Sequence, residues 1–198
     1  MKIEKEAGNM VYFKTRSESS LPEPWTIVDV LHISVPYVWD WKDYFTAVEA
    51  INNEYEVDLI INHSTVPVWT TEKLEQLLWN EVAHSPVNWK HPDLYVSIKY
   101  IFTKLCSSHR AVEYLKSIWI AKVEYMPQKE CELAKLLITT AYAREILFAK
   151  LVWDVCDEEW LDYNSVYTRM REIYNDWYNA LWESHFTLPI LTPPTDDG

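Results

Sequence analysis

Glycine is almost missing from this sequence: its 198 residues include two glycines, Gly8 and Gly198, both near the ends. Glycine adopts positive φ without steric cost and lets a backbone approach a phosphate group closely. The P-loop and dinucleotide-binding fingerprints both require it, so we exclude nucleotide-binding folds of these two kinds. Tight β-hairpins also rely on glycine. Helices joined by short polar or proline-containing links are therefore favoured.

The length and composition are those of one globular domain. Hydrophobic residues make up 48% of the chain and charged residues 24%, which is typical of a folded protein rather than a disordered one. We predict a single globular domain over residues 1–188, made of a mixed strand and helix element (1–70) and a helical body (71–186). Residues 189–198 are predicted to form a flexible tail.

A long helix is the strongest structural signal in the sequence. Residues 127–156, PQKECELAKLLITTAYAREILFAKLVWDVC, begin with proline at a plausible first helical position and contain no internal Gly or Pro. We predict that this helix is central and packed by its neighbours. The predicted core residues on one side of it are Leu137, Phe148, Leu151 and Val152.

The other segments complete a mainly α fold. Helical spacing of apolar residues in TTEKLEQLLWNEVAH, HPDLYVSIKYIFTKLC and SSHRAVEYLKSIWIAKV predicts helices around the long one, to which the segment near residues 171–186 adds a last helix. MVYFK, TIVDVLHISV and EVDLIINHS are predicted strands, with a helix near residues 41–55 between the last two. We therefore predict a five-to-six-helix body with a small strand-containing N-terminal element, an α+β arrangement.

The cysteines and the apolar runs indicate the compartment. Three cysteines are an odd number, and no charged-then-apolar signal segment opens the sequence. No apolar run reaches the roughly 18 residues of a transmembrane helix. We predict a soluble intracellular protein that does not bind a membrane.

One segment resembles a metal motif. Asn175, Asn179 and Glu183 fall four residues apart, a spacing that puts three oxygen-bearing side chains on one helical face, as a Mg²⁺ site would require. The segment that holds them, NDWYNALWE, residues 175–183, resembles the second metal motif of class I terpenoid cyclases. Asn179 stands where that family has a hydroxyl residue, and DWKD, residues 40–43, is a poor match to its aspartate-rich motif. A helical wheel also turns the three side chains away from the apolar arc of the helix. We predict that they bind no metal, and we predict no cofactor and no catalytic residue elsewhere.

The aromatic residues provide a first candidate interaction site. The chain has eleven tryptophans and thirteen tyrosines. In PYVWDWKDYF, residues 36–45, aromatic and charged residues alternate so closely that the rings cannot all face one core. Tryptophan and tyrosine are enriched in interface hot spots, so we predict an exposed, partner-binding cluster. Its residues are Tyr37, Trp39, Trp41 and Tyr44.

Charge provides the second candidate. The formal net charge is −12, and the segment WDVCDEEWLD holds five acids without a compensating cation. An acidic face of this kind can dock on a basic protein surface or only keep the protein soluble. Direct nucleic-acid binding is disfavoured, because it needs clustered Lys and Arg. The predicted partner-binding acids are Asp154, Asp157, Glu158, Glu159 and Asp162.

These features favour a non-enzymatic, acidic and aromatic-rich binding protein of the inhibitor, immunity or anti-defence type, which blocks a basic, nucleic-acid-handling partner. The alternative is a small enzyme or carrier with a Trp/Tyr-lined cavity for an apolar or aromatic ligand, with His32, His63 or Glu145 inside. A structural subunit of a larger assembly is a third possibility. The position of the tryptophan rings distinguishes the first two, because an enclosed cavity favours the enzyme and an exposed patch favours the binder.

Overall fold

The computed structural model describes residues 2–14, 18–37, 41–87 and 94–192. Its contacts group into two compact units, Met1–Leu136 and Leu137–Gly198. The helices are α1 (Lys2–Glu6), α2 (Trp41–Glu54), α3 (Thr70–Leu78), α4 (Leu94–Val96), α5 (His109–Ser117), α6 (Gln128–Glu158) and α7 (Arg169–Ala180). The strands are β1 (Phe13–Lys14), β2 (Ser19–Ser20), β3 (Ile27–Ile33), β4 (Glu56–Asn62), β5 (Val82–His84), β6 (Lys104–Cys106) and β7 (Val123–Tyr125). Two π-helical segments, Ser97–Ile101 and Asn164–Thr168, follow α4 and precede α7.

A parallel sheet with the order β3-β4-β5 forms the centre of the first unit. Leu31 pairs with Ile60, and Ile60 pairs with Val82. Helix α2 crosses from β3 to β4 and helix α3 from β4 to β5, as parallel strands require a crossover connection. The carboxyl ends of all three strands therefore lie at one edge of the sheet.

The middle strand is buried on both faces, which explains its continuous apolar run. Leu59 and Ile61 belong to one core cluster together with Val112 and Leu115 of α5. Ile60 points to the opposite face and joins a second cluster with Leu74 of α3. Successive side chains of a strand alternate between faces, so helices on both sides cover the sheet.

A second parallel pair, β6-β7, forms a separate sheet. The backbone N–H of Ser107, just after β6, donates to the carbonyl oxygen of His84 at 3.0 Å. The Ser107 hydroxyl accepts from the N–H of His84 at 2.7 Å. These bonds bring the carboxyl end of β6 next to that of β5.

The prediction of a mainly α fold is wrong, because parallel sheets organise the first unit. The long helix, the helix near residues 41–55 and strands at β3 and β4 are confirmed. The segments predicted to be helical between residues 71 and 123 instead alternate short helices with β5, β6 and β7. Each of these strands has three residues, which is too short for an alternating pattern to stand out from a helical one.

The second unit contains the later part of α6, and there the predicted core side chains are not buried. Leu137 is 60% exposed, Phe148 47% and Leu151 59%, and Val152 is half-buried. The prediction of a main core around these four residues is wrong. The buried cluster of this unit consists instead of Ala149, Cys156, Tyr163 and Tyr167, and Tyr163 and Tyr167 stack with ring centroids 5.0 Å apart.

The predicted tail begins next to a residue that is hydrogen-bonded to α7. The Asn175 side-chain amide donates to the carbonyl oxygen of Leu188 and accepts from its N–H, each at 2.8 Å.

No helix of the described residues is both long and apolar enough to cross a membrane. The predicted domain limits stay a prediction.

Candidate active site at the carboxyl edge of the sheets

Polar and ionisable side chains gather outside the carboxyl ends of β3, β4 and β5, and the side chain of Lys104, at the start of β6, reaches the same place. His32 lies at the end of β3, and His63 and Ser64 directly follow β4. His84 ends β5, Ser85 follows it, and Lys104 begins β6. Ligands of open α/β sheets bind in the crevice outside the carboxyl ends of the strands. Charged and titratable groups at this edge therefore form the candidate site.

Two histidines of this edge are joined side by side. His32 Nδ1 lies 2.9 Å from His63 Nε2, and the two rings are stacked at an angle of 11°. His63 Nδ1 lies 2.6 Å from the carbonyl oxygen of Ser85, so this nitrogen carries the proton and donates it. Neutral His63 then accepts from His32 at Nε2.

Helix α1 supplies a carboxylate to this pair. Glu4, which is 8% exposed, places Oε1 2.9 Å from His32 Nε2. It also accepts hydrogen bonds from the Tyr114 hydroxyl at 2.8 Å and from the Asn9 amide at 2.7 Å. Burial opposes ionisation of Glu4, but the hydrogen bond from His32 helps to lower its pKa below the usual value. The histidine pair thus ends on a carboxylate.

Lys104 is a buried amine beside the histidine pair. It is 6% exposed, and its Nζ donates to the carbonyl oxygens of Ser85 at 3.0 Å and Pro86 at 3.4 Å. Nζ also lies 3.5 Å from His63 Nδ1. Among the described residues, Lys104 has no acidic partner within ion-pair distance. Burial therefore lowers the pKa of Lys104 to about 8.

The neighbouring histidines stay neutral for related reasons. Desolvation, followed by the nearby Lys104 charge, lowers the pKa of His63 well below its usual value. Burial lowers the pKa of His84 to about 4. His84 Nε2 donates to the carbonyl oxygen of Ser64 at 3.1 Å, while its Nδ1 is buried without a hydrogen-bond partner in the structure. The edge thus combines a weakly basic amine with neutral imidazoles.

Access to the edge differs between its members. The His32 side chain is 30% exposed, whereas Lys104 faces a cavity of about 20 Å³, room for one water molecule. Pro86, Val87, Ile98, Phe102 and Thr103 complete the lining of this cavity. Lys104 is therefore enclosed, whereas His32 reaches the surface of the edge.

The two predicted partner-binding groups lie elsewhere. Tyr44 is 3% exposed and packs its ring 5.2 Å from that of half-buried Tyr37. Trp39 and the side chain of Trp41 lie outside the described part of the chain. Tyr44 is a core residue of the first unit, and a role of the four residues in partner binding stays a prediction.

The acidic run lies on the surface of the second unit. All five of its acids are exposed. Asp162 has a structural role there, because its carboxylate accepts the N–H of Ser165 at 2.9 Å and its hydroxyl at 2.6 Å, which lowers the pKa of Asp162. Asp157 and Asp162 line an open pocket of about 290 Å³ with Trp153 and Tyr163. A basic protein partner and these contact residues stay predictions.

Sequence reasoning placed His32 and His63 inside a cavity but missed Lys104, Glu4 and His84 as members of the site. The signal for Lys104 was a lysine that begins a short strand of otherwise apolar residues, Lys104–Cys106. Glu145, the third predicted cavity residue, lies in the second unit, where it forms an ion pair with Arg171 at 3.3 Å. Among the described residues, no group of three or more His, Cys, Asp and Glu side chains could hold a metal ion.

Three of the solved structures that resemble this chain are dehydrogenases. UDP-D-ManNAc dehydrogenase from Pyrococcus horikoshii superposes with a TM-score of 0.61 and 20% identity, covering 83% of this chain and 42% of that one. UDP-glucose dehydrogenase from Pyrobaculum islandicum gives 0.58 and 21%, covering 74% and 38%. GDP-mannose dehydrogenase from Pseudomonas aeruginosa gives 0.59 and 16%, covering 81% and 42%. The chain thus spans about two fifths of the length of each of these proteins.

No protein-family model matches the sequence, and no curated protein matches it. The structural likeness shows a Rossmann-like α/β fold. It corrects the exclusion of dinucleotide-binding folds, which rested on the scarcity of glycine. It also corrects the prediction of a non-enzymatic inhibitor, immunity or anti-defence protein, because the dehydrogenases named above share this fold.

Proposed function

We propose that this chain is an enzyme domain of the nucleotide-sugar dehydrogenase type, which holds its substrate at the carboxyl edge of its parallel strands and accepts a proton on Lys104. The observation that carries the proposal is the buried Lys104 amine at that edge, with no acidic partner among the described residues and a pKa of about 8. The dehydrogenases with this fold act on UDP- and GDP-linked sugars by their names. A nucleotide sugar is therefore the proposed substrate class.

The chemistry of alcohol oxidation supports a base at this place. A hydride leaves the carbinol carbon to a dinucleotide acceptor, and the hydroxyl proton must pass to a base. A base works best when its pKa is near the working pH, and Lys104 meets that condition.

Charge supports the substrate class. The chain carries a net charge of −12, which repels an anionic ligand in general. At the edge, however, Lys104 is 6% exposed and is a cation below its pKa of about 8. Buried cations are screened less than surface ones, so Lys104 can attract a phosphate group of the substrate against the overall charge.

We also propose an intracellular location. Cys106, Cys131 and Cys156 are free and buried thiols. Free thiols persist in a reducing compartment.

Binding measurements test the proposal. Isothermal titration with UDP-glucose, GDP-mannose and NAD⁺ is compared for the wild type, Lys104→Met and the control Lys116→Met, whose amine is half exposed on α5. We expect a nucleotide sugar to bind the wild type and the control alike, and at least about tenfold more weakly to Lys104→Met. NAD⁺-dependent oxidation should rise with pH through about pH 8 in the wild type and lose this step in Lys104→Met. Absence of nucleotide-sugar binding, or equal binding by Lys104→Met, would overturn the proposal.

A further inference from the structure

Among the described residues, every residue with positive φ that is not glycine belongs to one residue type. Seven described residues have positive φ, between 56° and 87°, and one of them is Gly8. The other six are all tryptophans, although non-glycine residues in this region are usually Asn, Asp or His. They are Trp25, Trp69, Trp79, Trp119, Trp160 and Trp182.

Trp119 ends helix α5 in the place of a glycine. Its N–H donates to the carbonyl oxygen of Lys116 at 2.9 Å, and the N–H of Ile120 donates to that of Leu115 at 3.2 Å. This pair of bonds is the Schellman motif, in which the C′ residue is left-handed and usually glycine. Trp119 occupies C′.

The motif recurs at the ends of α6 and α7. Trp160 donates to Asp157 at 3.3 Å and Trp182 donates to Asn179 at 3.1 Å, again from the C′ position. The following residues, Leu161 and Glu183, complete the two motifs with bonds of 2.8 and 2.9 Å to carbonyl oxygens five residues back. Three helices therefore end in the same way, each with tryptophan at C′.

Helix α1 provides an internal reference. There the N–H of Gly8 donates to the carbonyl oxygen of Lys5 at 3.1 Å, and the N–H of Asn9 donates to that of Glu4 at 3.1 Å. This is the same motif with a real glycine at C′. Helix α3 ends similarly on Trp79, which has φ 56° and ψ 26° and donates its N–H to the carbonyl oxygen of Glu75.

The remaining two tryptophans sit in turns that also call for glycine. Trp69 has φ 80° and ψ 0° in a turn where the N–H of Thr70 donates to the carbonyl oxygen of Pro67. These are the angles of position i+2 of a type II turn. Trp25 has φ 67° and follows Pro24 in a turn closed by a bond from Thr26 to Glu23. Proline at i+1 and glycine at i+2 are typical of that turn.

The six side chains are largely in solvent, although Lys129 Nζ lies 3.5 Å from the centre of the Trp69 ring and Lys99 Nζ lies 5.6 Å from that of Trp119. Their exposures run from 51% for Trp69 to 95% for Trp160. Tryptophan is on average a highly buried residue. By contrast, Trp153 lies within α6, where its ring packs 5.5 Å from that of Tyr163.

We propose that these six positions are glycine positions, and that the codons read as tryptophan in this sequence are translated as glycine in the organism that makes the protein. UGA is the codon that makes this possible, because different genetic codes read it as stop, as tryptophan or as glycine. The scarcity of glycine, the abundance of tryptophan and the six backbone conformations then have one cause. This inference does not depend on the proposed function.

The substitution changes what the sequence permits. Position 69 lies in the connection between the carboxyl end of β4 and helix α3, beside the candidate site. Glycine there leaves that connection without a bulky ring and open to a close backbone approach by a ligand. Scarcity of glycine then no longer excludes backbone contacts to a phosphate group.

Peptide mass spectrometry of the protein purified from its native source tests the proposal directly, together with the codons of the gene. We expect glycine at all six positions and UGA as the codon of each. Tryptophan in the native peptides, or UGG codons at these positions, would overturn it.

Thermal unfolding of recombinant variants gives an independent test. Each single change, such as Trp119→Gly or Trp160→Gly, should raise the equilibrium constant for folding by about fivefold and the Tm by about 2–4 °C. The matched control is Trp153→Gly, which should lower the Tm because it removes a packed ring from a helix interior. A lowered Tm for the six variants, like that of the control, would contradict the assignment.

Discussion

Two apolar runs of similar composition have opposite fates in this molecule. Leu59, Ile60 and Ile61 of β4 are at most 2% exposed, whereas Leu147 and Leu151 of α6 are 68% and 59% exposed. Helices cover both faces of the strand, so each of its side chains meets a partner. The hydrophobicity of a segment therefore does not by itself predict its burial. Burial depends on which elements pack against each face of the strand or helix.

The largest expected effect comes from a substitution in the buried run of β4. Ile61→Ala should lower the free energy of unfolding by about 3–5 kcal/mol, because it opens a cavity in a fully buried cluster. Leu147→Ala should change it by less than about 0.5 kcal/mol, since the side chain is largely in solvent. Urea denaturation of both variants measures the difference, and equal losses would contradict the contrast between the two runs.

Helix α6 also carries a buried and an exposed carboxylate, Glu132 and Glu130, which can be compared directly. Glu132 is fully buried and accepts the N–H groups of Trp69 and Thr71, each at 2.7 Å, and the Thr71 hydroxyl at 2.6 Å. Glu132→Ala should cost about 3 kcal/mol, because the donors at the start of α3 lose their acceptor. Exposed Glu130 on the same helix provides the control, for which chemical denaturation should show a loss below about 1 kcal/mol.

Acid should lower the stability of the first unit through the protonation of His84. Its pKa is about 4 in the folded protein against 6.5 as the usual value, so below pH 6.5 the unfolded chain binds a proton that the folded one does not. Stability should fall from about pH 6.5 to about pH 4 and then level off, with a loss of at most about 3 kcal/mol.

Denaturation curves at several pH values check this expectation. His84→Gln should flatten the profile, whereas His185→Gln, which changes an exposed ring in the second unit, should leave it unchanged. Stability that rises on acidification in this range would refute the placement of a neutral, buried His84.

The smallest effect concerns an ion pair of the second unit. Arg171 and Glu145 have side chains 11% and 14% exposed, and the guanidinium lies 4.9 Å from the centre of the Tyr167 ring. Arg171→Met should cost about 1–2 kcal/mol, between the values for surface and buried pairs. Arg169→Met, which breaks an exposed pair with Glu172, should lower the free energy of unfolding by less than about 0.5 kcal/mol. Thermal unfolding of both variants measures the difference.

The sequence predicted the elements with long, regular patterns and missed those with short ones. Helix α6 and strands β3 and β4 follow from helix propensity and from runs of β-branched residues. The three-residue strands β5, β6 and β7 have no periodicity of their own, and their pairing is set by distant residues. Without them, the parallel pair of β3 and β4 is not recognised as part of a larger α/β arrangement.

The same limit applies to the site. His32 and His63 were candidates because a polar ring in an apolar strand context stands out. Along the chain, Lys104 is 41 residues from His63, and Glu4 is 28 residues from His32. Only the fold brings each of them within 3.5 Å of its histidine. The scarcity of glycine misled the fold prediction, since left-handed positions are present but hold another residue.

Strand β3 has one further consequence, because it is the outer strand of its sheet in the described residues. Its outer side presents backbone N–H and carbonyl groups along Ile27–Ile33 that pair with no other described strand. A regular, largely apolar edge of this kind is a template for another strand. Concentrated solutions of the isolated chain should therefore associate edge to edge, and a lysine introduced on that strand should keep them monomeric.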